Sequence, residues 1–264
     1  MTIKYSLSVT VITKNEADRI GACLESVKDL ADEILVLDSG STDGTLNIVR
    51  QYTDKIWETD WPGFGKQKQR ALEKASGDWV LAIDADEVLD SELQAAVLKL
   101  LSNERGNTVA AQMPWGVTLY GKRLDYGRSA RSALRMVWRE GARFTDAEVH
   151  EAIVPPPGDT ITLKGRLLHF THRDFGHALN KNALYAWLGS QKYFRQGKRC
   201  HTLLSPLLRS VWTFILVYFI RRGFLDGSVG FLTAVGYAHN SFNKYAGLWT
   251  LTRAERQANK ELKN

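Results

Sequence analysis

The first hundred residues alternate between short apolar runs and segments with apolar residues at helical spacing. Apolar runs of this length, bounded by polar residues, are typical of buried strands. Four are present, at Leu7–Thr13, Glu33–Leu37, Lys55–Glu58 and Trp79–Ile83. Strands that alternate with helices predict a parallel sheet with right-handed crossovers and helices on both faces. We therefore expect an α/β fold.

Polar residues at the predicted boundaries indicate where the helices begin. Asn15 is expected to cap the first helix, and Ser41 or Thr42 the second. Asp90 or Ser91 is expected to cap a further helix, and Ser91 with Gln94 forms a capping-box pattern there.

The pattern changes in the second half of the chain. Three segments rich in aromatic or β-branched residues predict further strands, at Val109–Tyr120, Ser132–Trp138 and Thr160–His169. From Phe175 onward the spacing of apolar residues predicts helices to the end. We expect a first domain at 1–172 and a helical C-terminal region at 173–264.

One predicted helix, Leu203–Arg222, contains an apolar run, Val211–Ile220. Spanning a bilayer takes about 20 apolar residues, and this run is half that length. It predicts either a buried core helix or a segment in the membrane interface. The flanking aromatic and basic residues favour the interface.

The charge distribution adds to this picture. The formal net charge is +6, and no Asp or Glu occurs between Asp174 and Asp226. A one-signed block indicates an anionic partner, such as lipid headgroups, a phosphorylated acceptor or nucleic acid. Nucleic-acid binding predicts interleaved basic and aromatic residues, whereas an uninterrupted apolar run separates the charges here. We expect an anionic membrane surface and no nucleic acid.

The two cysteines, Cys23 and Cys200, provide neither a disulfide framework nor metal-ligand spacing. A reducing cytoplasm is the simplest setting. The segment Met1–Ser8 lacks a basic start followed by an apolar core, so we expect no signal peptide.

Acidic residues follow two of the predicted strands. Asp38 ends the second strand, and Asp84 and Asp86 follow the fourth. Residues two apart on a strand share a face, and ligands of open α/β sheets lie at the carboxyl ends of strands. Two converging carboxylates are typical of a Mg²⁺ or Mn²⁺ site completed by substrate phosphates. A solvated turn would give the same short pattern. Neither GxGxxG nor a Walker A loop is present.

Four blocks in order carry a resemblance to a known family. They are VTVITKNEADRI, LVLDSGSTDGT, a Lys/Arg-rich helix within Gly63–Ala75, and GDWVLAIDADE. The chain resembles family 2 glycosyltransferases of the GT-A (Rossmann-like) type. The later segments WRE…RFTDAEVHE, LHFTHRD and RRGFLDGSVGF resemble the bacterial lipopolysaccharide-core β-1,4-glucosyltransferase group.

The resemblance implies inverting transfer of a sugar, with UDP-glucose the expected donor, to a lipopolysaccharide-core or other lipid-linked acceptor. It places the enzyme in the cytoplasm, peripherally on the inner face of the cytoplasmic membrane. A divalent ion would stabilise charge on the leaving diphosphate. The expected ligands are Asp86 and, as the resemblance permits, a late histidine, for which His169 is preferred to His172 by its place on the strand. The residues expected to bind the nucleotide sugar are Thr13, Asn15, Glu16, Asp38, Lys66, Arg70 and Asp84.

An inverting transfer also requires a general base for the acceptor hydroxyl. Glu151 is the first candidate and Glu148 the second, with Asp146 and Asp125 as further carboxylates. Two other functions compete. A sugar nucleotidyltransferase would carry a glycine- and arginine-rich loop after the first strand, which is absent. A catalytically degenerate protein that binds only nucleotide or membrane is disfavoured by the intact acids.

Overall fold

A computed structural model describes residues 2–127, 131–146 and 151–261. The chain divides into two compact units. The first comprises Met1–Gly116 and Arg131–Phe170, and the second comprises Val117–Ala130 and Thr171–Asn264. The segment Val117–Ala130 thus groups with the C-terminal helices, although its position in the sequence places it in the expected first domain.

The strands are β1 (Leu7–Thr13), β2 (Glu33–Asp38), β3 (Ile56–Glu58), β4 (Trp79–Asp84), β5 (Glu87–Leu89), β6 (Thr108–Leu119), β7 (Lys122–Leu124), β8 (Ser132–Trp138), β9 (Arg143–Phe144), β10 (Ile153–Val154), β11 (Asp159–Thr162) and β12 (Leu167–His169). The helices are α1 (Ile20–Glu25), α2 (Thr45–Val49), α3 (Phe64–Lys74), α4 (Ser91–Ser102), α5 (Phe175–Arg195), α6 (Leu204–Ile215) and α7 (Gly227–Glu261).

The sheet has the order β3-β2-β1-β4-β8-β6-β12-β5. Its first four strands are parallel, as the alternating pattern predicts. Strand β8 runs antiparallel to both β4 and β6 and extends the sheet. The predicted α/β architecture is therefore confirmed, with antiparallel strands added beyond β4.

Helices cover both faces of the sheet. Alternate residues of β1, including Val9, pack in one core cluster with Leu24 of α1 and Val97 of α4. On the opposite face, Val80 of β4 packs with Leu72 of α3. This separation follows from the period of two along each strand.

The predicted caps of the first two helices are wrong. Asn15 adopts a left-handed conformation (φ 55°), and its Oδ1 accepts from the backbone N–H of Thr42 at 2.8 Å. Its side chain therefore joins the loops after β1 and β2 instead of capping α1. Helix α2 begins only at Thr45, whose N–H donates to Asp43 Oδ1 at 3.0 Å.

The cap of α4 is Asp90 and not Ser91. Its Oδ1 accepts from the N–H of Leu93 at 2.8 Å, and its Oδ2 accepts from the N–H of Arg166 at 3.0 Å. The predicted strand Thr160–His169 is divided into β11 and β12. Gly165 lies in the break with φ 90°, and a Cβ there would lie 2.2 Å from the backbone nitrogen of Leu93. This close approach requires glycine.

The second unit contains three long helices. Ser190 Oγ of α5 donates to the carbonyl of Lys244 in α7 at 2.7 Å, and Ser210 Oγ of α6 donates to the carbonyl of Ala238 at 2.8 Å. Within the described residues, no single helix has the length and apolarity to cross a bilayer. The pair Leu204–Ile220 and Gly223–Glu261, bent by 72°, meets these criteria only jointly.

Helix α6 is not a buried core helix. Pro206 is its only buried residue among those described. Leu208 and Trp212 are each 58% exposed, and Phe219 in the turn that follows is 55% exposed. The first of the two alternatives for the apolar run is therefore wrong, and a broad apolar surface faces solvent.

Candidate active site

Several charged side chains of the first unit converge at the carboxyl edge of the parallel strands. Strand register aligns Thr13 with Asp38 and Ile12 with Asp84. The chain turns at Asp84 into β5, which places Asp86 at the same edge. This register agrees with the prediction that the acids at the ends of β2 and β4 lie at one edge of the sheet.

Asp84 lies between two cations. Its Oδ1 is 2.7 Å from Lys68 Nζ, and its Oδ2 is 2.8 Å from Arg135 Nη2. Burial raises the pKa of Asp84, but attraction to Lys68 and Arg135 outweighs burial and holds the pKa well below its usual range. Asp84 is therefore ionised at neutral pH, and its charge is already balanced within the chain.

Glu87, to which the sequence assigned no role, positions Arg135. It is fully buried, and its two carboxylate oxygens lie 2.6 and 2.9 Å from the Arg135 guanidinium. Its Oε2 also accepts from the N–H of Asp84 at 3.0 Å. Burial lowers the pKa of Arg135, but the charges of Glu87 and Asp84 raise it by more, so the net shift is upward. The turn after β4 is thus fixed by a bidentate pair.

Asp86 faces His169 and Arg19. Its Oδ2 lies 3.3 Å from His169 Nε2 and 3.5 Å from Arg19 Nη1. Burial is the largest single effect and raises the pKa of Asp86, but the hydrogen bond and charge of His169, together with the charge of Arg19, outweigh burial and the net shift is downward. Burial lowers the pKa of His169, whereas Asp86 raises it, and the net shift is upward. The antiparallel pairing of β12 with β5 places the histidine here.

Glu151 joins the same network through Lys68. Its Oε1 lies 2.8 Å from Lys68 Nζ, and the two side chains are 15% and 5% exposed. One buried ammonium therefore connects Glu151 to Asp84. Glu148, the second candidate base, lies outside the described residues. We call this set the charged cluster: Arg19, Lys68, Asp84, Asp86, Glu87, Arg135, Glu151 and His169.

Four predicted nucleotide-binding residues lie next to the charged cluster, at the ends of β1 and β2 or in the loop after β1. Thr13 is buried, and its hydroxyl has no hydrogen-bond partner among the described residues. Asp38 is fully buried, and its Oδ2 accepts from the N–H groups of Gly40 and Ser41. Its carboxylate therefore organises the turn after β2.

Asn15 and Glu16 occupy the loop after β1. Glu16 accepts from the guanidinium of Arg19 and so orients the arginine that faces Asp86. Asn15 connects this loop to the loop after β2. Nucleotide binding by these two residues and by Thr13 and Asp38 stays a prediction.

Lys66 and Arg70 lie outside the charged cluster. The Lys66 side chain is 58% exposed, and its Nζ lies 3.9 Å from Asp146 Oδ1. The Arg70 side chain is 40% exposed, and its Nη1 lies 2.5 Å from Asp60 Oδ1. The inward cation of α3 is instead Lys68, which the sequence analysis missed. Its spacing of three and four from the apolar Ala71 and Leu72 was a usable signal.

The residues of the charged cluster fit a divalent ion that is completed by substrate. Among the described residues, no three His, Cys, Asp or Glu side chains are arranged as a metal site. Asp86 and His169 nevertheless bring a carboxylate oxygen and an imidazole nitrogen to 3.3 Å. Mg²⁺ and Mn²⁺ are commonly held by one or two protein ligands together with substrate phosphates. Metal binding by this pair stays a prediction.

Comparison with known proteins identifies relatives over most of the chain. The sequence model described as glycosyl transferase family 2 matches residues 8–151. The lipopolysaccharide core biosynthesis glycosyltransferase LpsC of Rhizobium meliloti is 34% identical over 250 residues, covering 92% of this chain and 91% of LpsC. An uncharacterised glycosyltransferase of Rickettsia typhi is 28% identical and covers 95% of this chain and 89% of the relative.

Solved structures give partial likenesses. Staphylococcus aureus TarS, residues 1–349, in complex with UDP-GlcNAc, has a TM-score of 0.48 at 16% identity, with 96% of this chain and 92% of that chain covered. Glucosyl-3-phosphoglycerate synthase from Mycobacterium tuberculosis, in complex with Mg²⁺ and UDP, has a TM-score of 0.47 at 19% identity, with 74% and 81% covered.

Proposed function

Because the chain belongs to glycosyl transferase family 2 and is a glycosyltransferase, we propose that it catalyses metal-dependent inverting transfer of a sugar from a nucleotide donor. UDP-glucose is the expected donor. The acceptor is a hydroxyl of a lipopolysaccharide-core or other lipid-linked glycan. The likeness to LpsC supports this acceptor class.

The observation that carries the proposal is the charged cluster itself. It combines a carboxylate and a histidine at 3.3 Å with a second carboxylate, Glu151, held by a buried lysine. These are the groups that inverting transfer requires: oxygen and nitrogen ligands for a cation, and a base for the acceptor.

In the proposed mechanism, Asp86 and His169 would hold Mg²⁺ or Mn²⁺. The ion would supply Lewis-acid stabilisation of the charge that develops on the leaving diphosphate. Glu151 accepts the proton of the acceptor hydroxyl as that oxygen attacks the anomeric carbon. Lys68 keeps the carboxylate of Glu151 in place, and Glu87 with Arg135 fixes the turn that presents Asp84 and Asp86.

The second unit is the membrane-binding part in this proposal. The exposed apolar residues of α6 and the acid-free block around it support binding to an anionic membrane surface. We place the enzyme peripherally on the inner face of the cytoplasmic membrane, where lipid-linked acceptors are accessible.

A donor screen by thermal shift tests the reaction class. The protein is heated with each of a panel of nucleotide sugars, with and without Mn²⁺. We expect a UDP-sugar at about 100 times its Kd to stabilise the protein by roughly 2.7 kcal/mol only when the metal is present. A shift that is the same without metal would contradict metal dependence, and no shift with any donor would contradict the function.

Asp86→Ala tests the metal assignment. We expect loss of both transfer and donor hydrolysis by roughly 100-fold or more, as for removal of a principal electrostatic group. The Mn²⁺-dependent part of the thermal shift should also disappear. Glu104→Ala, at an exposed surface carboxylate, is the control. Near-normal turnover of Asp86→Ala would refute the assignment.

A further inference from the structure

Two adjoining cavities lie among the helices of the second unit. Their volumes are about 640 and 410 Å³, and both are lined by Ser205, Arg209 and Tyr245. The larger extends between α6 and α7, and the smaller extends toward the end of α5. The two cavities share the wall that these three residues form, and we call them together the helical groove.

Three cations surround two tyrosines where the cavities meet. The Arg209 guanidinium lies 4.3 Å from the ring centroid of Tyr245, and Lys198 Nζ lies 4.1 Å from that of Tyr193. Lys244 Nζ lies 4.9 and 5.0 Å from the two rings. The rings themselves are 5.8 Å apart. Arg209 also donates to Ser205 Oγ at 3.4 Å and to the Tyr245 hydroxyl at 3.3 Å, and its other N–H donors can bind an anion.

No carboxylate of the described residues forms an ion pair with these three cations. The neighbouring Arg199 is paired with Glu255 at 2.6 Å, and no acid occurs between Asp174 and Asp226. The Lys244 ammonium also lowers the pKa of Tyr193. The inner end of the helical groove therefore carries positive charge that the unit does not balance.

The outer wall of the helical groove is apolar. Leu204, Leu208 and Trp212 line it, and they are 60%, 58% and 58% exposed. Leaving such residues in water is unfavourable by roughly 25 cal/mol per Å² of apolar surface. A ligand that suits both ends has a negatively charged head and a hydrocarbon chain.

We propose that the helical groove binds one anionic phospholipid of the membrane, with its phosphate on Lys198, Arg209 and Lys244 and an acyl chain along Leu204, Leu208 and Trp212. Guanidinium and ammonium groups form charge-assisted hydrogen bonds with phosphate oxygens. The inference rests on the membrane association proposed above and not on the transfer reaction.

The test is cosedimentation of the full chain with phosphatidylcholine vesicles that contain a fixed fraction of phosphatidylglycerol. The variant Arg209→Gln/Lys244→Gln removes two cations of the helical groove. Arg256→Gln/Lys260→Gln removes the same charge from exposed positions of α7 that line neither cavity. Since the two lost cations would contact the phosphate, we expect the first variant to bind roughly tenfold or more weakly. The control should change less than about threefold.

Two further arms separate a defined site from diffuse attraction. Trp212→Ser should weaken vesicle binding although the charge is unchanged, and thermal denaturation verifies that each variant is folded. Wild type should prefer phosphatidylglycerol to a carboxylate-headed lipid at equal surface charge. Equal losses in both double variants, or no phosphate preference, would overturn the site while leaving membrane association intact. Absence of wild-type binding to any vesicle would overturn both.

Discussion

At the scale of single residues, Lys68 determines how the charged cluster is balanced. Its Nζ lies within 2.8 Å of two carboxylates, those of Asp84 and Glu151, and its side chain is 5% exposed. Burial lowers the pKa of Lys68, but the two acids raise it and the net shift is upward. The lysine is therefore charged at all physiological pH values and compensates two partly buried negative charges.

Replacing Lys68 by Gln should destabilise the first unit. Removal of one partner of a fully buried ion pair costs roughly 3–5 kcal/mol, and we expect a loss at or below the lower end of this range because Asp84 keeps Arg135 and its side chain is 29% exposed. Calorimetric denaturation of Lys68→Gln measures this loss. Lys66→Gln, on the same helix but 58% exposed, is the matched control. Equal stability of the two variants would show that Lys68 does not compensate the cluster.

The base assignment is tested at Glu151. In Glu151→Gln the side chain keeps its size and can still accept from Lys68, but it cannot take a proton from the acceptor. We expect nucleotide binding to persist while transfer falls by roughly 10²–10⁴-fold. Parallel measurements of the donor-induced thermal shift and of turnover separate these effects. Loss of donor binding together with activity would instead assign Glu151 a structural role.

At the scale of elements, Glu33 joins three strands at the edge opposite the charged cluster. It begins β2, and its Oε1 accepts from Ser8 Oγ of β1 at 2.5 Å and from the N–H of Ser76, ahead of β4, at 2.7 Å. Burial raises the pKa of Glu33, but its hydrogen bonds with Lys55, Ser8 and Ser76 outweigh burial and lower the pKa from 4.5 to about 2.

This shift predicts how stability depends on pH. A carboxyl whose pKa is lower in the folded state stabilises it above the unfolded pKa, and the stabilisation is lost as pH falls toward the folded value. The loss should therefore occur between about pH 4.5 and pH 2 and amount to about 3 kcal/mol. We expect the free energy of unfolding of Glu33→Gln to change less than that of wild type across this interval. Parallel curves for the two proteins would contradict the prediction.

At the scale of the whole molecule, the two units carry different surface chemistry. The first holds a cluster of little-exposed charged groups in ion pairs around Asp84 and Asp86. The second exposes apolar side chains on α6 within an acid-free basic segment. Its Arg221 and Arg222 follow the apolar run, where basic residues anchor interfacial segments.

Charge reversal at these two positions should release the protein from membranes. Arg221→Glu/Arg222→Glu replaces attraction by repulsion, and each basic residue lost is worth about 1 kcal/mol near an anionic surface. We expect a loss of binding to anionic vesicles of at least roughly 30-fold, measured by sedimentation. Arg256→Glu/Lys260→Glu is the control of equal charge. Unchanged sedimentation of the first variant would contradict interfacial binding.

The sequence by itself determined the alternating strands and helices, the α/β class and the family, because period and motif are local properties of the chain. The bounds of β1 were predicted in full, and those of β4 to one residue. Local patterns could not identify the caps of α1 and α2. The side chain of Asn15 accepts from the N–H of Thr42, and the side chain of Asp43 accepts from the N–H of Ala17. Both bonds join loops that are distant in sequence.

Only the tertiary structure decided which charged residues act together. Lys68 and Glu151 are 83 positions apart, and Arg135 and Glu87 are 48 apart, yet each pair forms hydrogen bonds. Helix α3 carries three basic residues that the sequence alone does not distinguish: Lys66, Lys68 and Arg70. Only the packing of α3 against the sheet determines that Lys68 is the buried one. The exposure of α6 was likewise open, since an apolar run has the same composition in a core and at a surface. Burial depends on what packs against a segment, and that is a property of the folded chain.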